Sequence, residues 1–232
     1  MNRRLIQIAV VLVLIGAVIR PAAAGCRDTP GPGVDWAGCD KTKLNLSGDD
    51  LHGANLQQAD LSRSDLAGAD LTGANLTEAT LVRARLADAT LKGADLSKAM
   101  FIRANLQGAD FTGAVLVKTE MHRADLSNAL LIGSNLEKAE FGRAVLTGAK
   151  LSGANLHRAY LARADLRGAT LAGANLTEAQ LYQVDLGGAD LSQAGGLVQE
   201  QLESTCGDAT TKLPPNLSPP PAWPCVSAED ED

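Results

Sequence analysis

Leucine returns every fifth residue through most of this chain. In ADLSRSDLAGADLTGANL, residues 59–76, it falls at Leu61, Leu66, Leu71 and Leu76. Neither common element buries such a row. A helix aligns residues three and four apart, and a strand aligns residues two apart. Five helical steps leave the next leucine about 140° off its face, and five strand steps turn it to the opposite side. The pattern runs from Leu46 to Leu191 as thirty units, the centre changing only at Phe101, Phe111, Met121 and Phe141. Two residues before each centre stands Ala, with exceptions that include Leu44, Asp49, Ser64, Thr119, Ser134 and Val184. The residue just before the centre is commonly Asp or Asn.

A backbone that makes one short extended side and one corner per unit satisfies this spacing. Four sides close a square coil of 20 residues, so thirty units give about 7.5 coils. The centre and the Ala before it point inward, and the other three positions face water. Adjacent coils pair as parallel strands do, about 4.8 Å apart, which gives a rod on the order of 36 Å long. Small Ala lets opposite walls approach while Leu fills the rest. That narrow core accounts for an apolar fraction of 45% with only 3% aromatics.

The unit, seen as Ala59-Asp60-Leu61-Ser62-Arg63, resembles that of the pentapeptide repeat family, A-(D/N)-L-x-x, and the resemblance covers about 150 residues. It implies an all-β solenoid, a right-handed quadrilateral parallel β-helix. It also brings an alternative function, because some cytoplasmic members resemble DNA in shape and charge and protect gyrase by occupying its DNA site. That role needs a strongly acidic surface and a cytosolic address.

Every fourth unit shares a side of the coil. The last unit position on one side reads Arg63, Arg83, Arg103, Arg123, Arg143, Arg163 and then Gln183; the side before it reads Gln58, Glu78, Lys98, Lys118, Lys138, Arg158 and Glu178. On the other two sides this position is Gly at 13 of 16 places, against none of 14 on the first two. Gly suits a type II corner with positive φ, so the sequence suggests that the other corners use a turn that tolerates any residue. The Arg side sums to +3, the Lys side to zero and the two Gly sides to −3 each. Unit charges one coil apart repel by roughly 1 kcal/mol in water, offset in part by Glu120 and Glu140 nearby. The column therefore reads as a solvated face or as an anion-binding stripe, its anions being lipid A phosphates or acidic polysaccharides.

Catalytic and metal chemistry is not indicated. His52, His122 and His157 fall on three different sides, no Cys pair has zinc spacing, and a filled narrow rod leaves no substrate pocket. The repeated Asp and Asn read as turn formers that bond their local backbone. No cofactor is expected.

The flanks point to export. Asn2-Arg3-Arg4, an apolar run from Leu5 to Ile19 and Ala22-Ala23-Ala24 form a signal-peptide pattern over residues 1–24. Cys26, Cys39, Cys206 and Cys225 lie outside the repeats. Three pairings are open to them; with the flanks at opposite ends of a rod, Cys26–Cys39 and Cys206–Cys225 are the easy ones. Disulfides imply an oxidising compartment. A lipoprotein-type cleavage before Cys26 is the alternative, and it would strand Cys39. The chain thus divides into a signal (1–24), an N-terminal cap loop (25–44), the β-helix (45–193), a Pro-rich C-terminal cap (194–226) with a short helical LVQEQLES, and an acidic tail (227–232). The expected role is a non-catalytic periplasmic or secreted rod, monomeric or dimeric, whose partner is an envelope polyanion or a protein. No nucleic acid partner is expected, and membrane contact would need an uncleaved signal or an acylated Cys26.

Overall fold

A computed structural model describes residues 25–224. The signal reading of residues 1–24, Cys225 and the acidic tail lie outside them. The described chain is a right-handed quadrilateral β-helix whose sides are single parallel bridges between residues 20 apart, from Asp35↔Asn55 to Asn175↔Gly195. One helix interrupts it, α1 (Gln199–Leu202), within the stretch read as helical.

Where Asp or Asn precedes the centre, the five-residue unit places every backbone N–H. Around Leu61, the Leu61 N–H donates to the Thr80 carbonyl of the next coil (2.8 Å), and the Arg63 N–H to Val82 (3.0 Å). The Asp65 N–H reaches back to Leu44 (2.9 Å), and the Ser64 N–H closes the corner on Leu61 (3.1 Å). The fifth donor, the Ser62 N–H, is taken by Asp60 Oδ1 (2.9 Å). The same contact recurs from Thr72 to Asp70, Thr77 to Asn75, and Ser97 to Asp95. The row of Asp and Asn is therefore turn-forming, as its spacing indicates. On one side the Asn side chains also bond across coils, Asn155 to Asn135 (3.0 Å) and Asn175 to Asn155 (3.1 Å).

Leu61, Leu66, Leu71, Leu76, Phe101, Phe111, Met121 and Phe141 are all fully buried. Polar residues in the Ala row stay satisfied. Thr119 and Ser134 hydroxyls donate to the carbonyls of Leu116 and Leu131, and the Ser64 hydroxyl donates to Lys41. Leu44 departs from its expected inward position and is partly solvent-exposed.

The ladder extends past both ends of the leucine pattern. It begins at Asp35, inside the stretch read as a cap loop. There Trp36 and Lys41 take core positions that Leu fills elsewhere, and both are buried. The Lys41 ammonium sits 3.7 Å from the Trp36 ring centroid and donates to the Cys26 carbonyl (2.7 Å). Desolvation pushes the Lys41 pKa down, and Asp28 opposes it. Cys26 and Cys39 form a disulfide, the pairing read as an easy one at this end. At the far end bridges continue at Asp185↔Cys206 and Asp190↔Lys212, 21 and 22 residues apart; α1 and the next turn absorb the extra residues. Cys206 is disulfide-bonded. Trp223 closes this end, its indole N–H donating to Thr205 (2.8 Å). Its ring lies where any β-carbon on Gly207 would stand, so only Gly fits there. Asp208, whose side chain accepts from the Thr210 hydroxyl and backbone and from the Gly188 N–H, has its pKa held down at about 2.

Candidate anion-binding groove

All four corners of the coil use one backbone conformation. Arg63, Arg83, Arg103, Arg123, Arg143 and Arg163 have φ between 57° and 60°, and Lys98, Lys118 and Lys138 have φ of 58–59°. Gly53, Gly73 and Gly93 on a glycine side lie at 61–64°. The expectation that the non-glycine corners use a more permissive turn is wrong. The ladder explains why: each corner N–H must point along the rod axis to reach the next coil, as Arg83 does to Ile102 and Arg103 to His122. Left-handed φ costs an ordinary L-residue about 1–2 kcal/mol. Fourteen corners on two sides carry that strain where glycine would relieve it.

The structure stacks the six Arg in one exposed column. Lys43, with φ 58°, extends it by one coil. The leucine pattern hides Lys43, because the first coil has Lys41 at the core position; counting back 20 from Arg63 would have found it. Among the described residues, the side chains of Lys43, Arg63, Arg83, Arg103, Arg123 and Arg143 make no hydrogen bond or ion pair; Arg163 donates to Gln183 (2.9 Å). Glu140, expected to offset the column, bonds His122 (2.8 Å) rather than an arginine.

Beside the column runs an open groove in two joined parts. The first, about 700 Å³, is lined by Thr42, Ser62, Val82, Ile102 and His122 together with Lys43, Arg63, Arg83, Arg103 and Arg123. The second, about 400 Å³, continues from His122 and Arg123 along Gly142, Ala162, Tyr160 and Tyr182 with Arg143 and Arg163. The expectation that a filled narrow rod leaves no pocket considered only its interior; this groove lies on the surface, between side chains of adjacent coils. Neither part is lined by a carboxylate, on a protein of net charge −6. A row of guanidinium groups over an apolar floor can hold carboxylates or phosphates by paired N–H donors.

His52, His122 and His157 lie on three sides: His52 bonds Asp50, His122 bonds Glu140, and His157 meets the Thr177 carbonyl. Among the described residues no group of three or more His, Cys, Asp or Glu side chains is placed to hold a metal. No helix among them is long and apolar enough to cross a membrane.

No protein of curated function matches the chain. The fold of a trypsin-treated variant of QnrB1, a plasmid-mediated fluoroquinolone resistance protein, is similar, with a TM-score of 0.69 at 19% identity over 82% of this chain and 91% of that one. HetL, a pentapeptide repeat protein involved in heterocyst differentiation regulation in the cyanobacterium Nostoc sp. strain PCC 7120, is 30% identical over 76% of this chain and 90% of its own, with a TM-score of 0.42. The family model for pentapeptide repeats matches residues 45–81, 79–116, 124–161 and 154–193. With more than half of its length so matched, the chain belongs to the pentapeptide repeat family.

Proposed function

We propose that the protein is a non-catalytic, exported rod of the cell envelope that binds polyanions along its arginine column. The observation that carries this reading is a run of strained, unpartnered arginines in register. A column kept only for solubility gains nothing from unfavourable φ, which glycine would relieve without cost to the ladder. The Lys side carries the same φ with most of its cations paired, so it is strain together with the lack of a partner that points the arginine column to use. The flank disulfide and the signal pattern support an oxidising compartment. The unpaired cations argue against the DNA-like reading, which needs acidic surface where these arginines stand.

Two measurements test the proposal. An alkaline phosphatase fusion to the C-terminus should be active in cells that carry residues 1–24 and inactive without them. The purified rod should be retained on a polyanion resin and elute with salt, because exposed charge contacts are screened. Arg103→Glu with Arg123→Glu should elute much earlier; co-elution with the parent would sink the binding assignment.

A further inference from the structure

We infer that the occupant of the groove is a linear polyuronate, an acidic polysaccharide with one carboxylate per sugar ring, laid along the rod in step with its coils. This inference rests on the polyanion reading and narrows it. The first argument is pitch. The cations stand in single file, one per coil, about 4.8 Å apart. A pyranose ring advances an extended chain by about one coil height, so each ring can offer its carboxylate to one cation. Phosphates of duplex DNA recur at about 3.4 Å along each strand, and those of a stretched single strand lie wider than a coil. Both drift out of step within a few contacts. An arginine side chain is long enough to meet a carboxylate on either edge of a ring, which accommodates chains that alternate their edges.

The floor is the second argument. Val82 and Ile102, then Gly142 and Ala162, make two apolar stretches of the floor, joined at His122, whose ring is bonded to Glu140. Sugar rings present C–H faces that suit such stretches, and the exposed ring of Tyr182 offers a stacking surface at their end. The floor has no deep slot for acyl chains, which disfavours a lipid A headgroup with its tails. The backbone N–H groups of the arginines are spent on the ladder, so these residues meet a ligand through their side chains. That favours a ligand whose charges are regularly placed.

The test uses the intact protein with oligogalacturonates of graded length, by calorimetry or fluorescence anisotropy. Affinity should rise with length and level off near about seven rings, the number of cations in the column. Fully methyl-esterified chains should not bind, and polyphosphate or single-stranded DNA of equal charge should bind more weakly. Arg103→Gly with Arg123→Gly suits the corner φ and will fold; it should lower affinity about tenfold. Ile102→Asp should weaken uronate binding while leaving every arginine in place. If polyphosphate, DNA or anionic vesicles bind as well as the uronate, or no length plateau appears, this inference falls while the polyanion reading stands. If no polyanion is retained at all, both fall.

Discussion

The arginine and lysine corners have the same backbone and different electrostatics. Both hold long side chains at φ near 58°, and both stack their charges one coil apart. The lysine corner neutralises most of its cations, Lys118 excepted among the described residues. Lys98 pairs with Glu78 across one coil (2.9 Å), Arg158 with Glu178 (2.6 Å), and Lys138 with Glu137 beside it (3.0 Å). Gln58 adds a bond to Glu78 (2.9 Å). The arginine corner has one such contact, Arg163 to Gln183. A carboxylate one coil away, as Glu78 and Glu178 are, or next to the corner, as Glu137 is, therefore decides whether a cation is structural or available. Composition of a side does not decide it.

The largest expected effect lies beneath the arginine column. Phe101, Met121 and Phe141 stack under it, where the lysine corner rests on Leu96, Leu116 and Leu136. Phe101→Ala should cost about 3–5 kcal/mol and Leu96→Ala about 2–5 kcal/mol by urea denaturation. Phe101→Ala should also reduce polyanion binding, because the coils that align Arg83, Arg103 and Arg123 lose their support. Leu96→Ala should leave binding near the parent level. Equal losses of binding would mean that the two corners are not mechanically separate. Next in size is the N-terminal staple: Cys26→Ser with Cys39→Ser opens a loop spanning 13 positions and should lower stability by about 3 kcal/mol, with both corners affected alike.

Smaller, and opposite in sign, is relief of corner strain. Arg103→Gly should stabilise the fold by about 1 kcal/mol, since it removes left-handed strain and charge repulsion and loses only some backbone entropy. Lys98→Gly removes the same strain but also breaks the pair with Glu78, so its gain should be smaller. Arg103→Ala separates the terms: it keeps the strain and removes only the charge. If Arg103→Gly destabilises the rod in denaturant titration, the corner is not strained and the functional argument from strain fails.

Much of this was legible in the sequence. Thirty large apolar centres at spacing five, twenty-six of them Leu, can be buried by one kind of backbone, and the Asp and Asn before many of them announce the turn that absorbs the fifth N–H. The arginine column follows from counting in twenties. Other features depend on relations that a row of letters leaves ambiguous. Lys41 conceals the first coil, because a lysine in a core slot is tolerated only over the Trp36 ring and the Cys26 carbonyl. The shared φ of Arg and Gly corners is set by the ladder, not by residue type. The groove lies between the arginine column and the residues before it, Val82, Ile102 and His122 and then Gly142 and Ala162, a matter of three-dimensional relief. The pairing of Lys98 with Glu78 and of Arg158 with Glu178 was readable at spacing 20.

The smallest effect is the most direct test of pairing. Hydrogen bonds from Lys98 and then Gln58 lower the Glu78 pKa below its ordinary 4.5, and the bond from Arg158 does the same for Glu178. Their folded values are depressed, so the pairing is present above about pH 4.5 and is lost as pH falls through the folded values. Below that range the lysine corner becomes what the arginine corner is at neutral pH, a column of unpaired cations. A rod carrying Arg103→Gly and Arg123→Gly should then recover polyanion retention as pH is lowered from 6 towards 3.5, on a sulfated resin whose own charge does not titrate. Adding Glu78→Gln and Glu178→Gln should give that retention already at pH 7 and flatten the pH profile. Were the quadruple variant to stay unretained at pH 7, absence of a partner would not be what makes a cation column bind, and the apolar floor beside the arginines would have to be the deciding element.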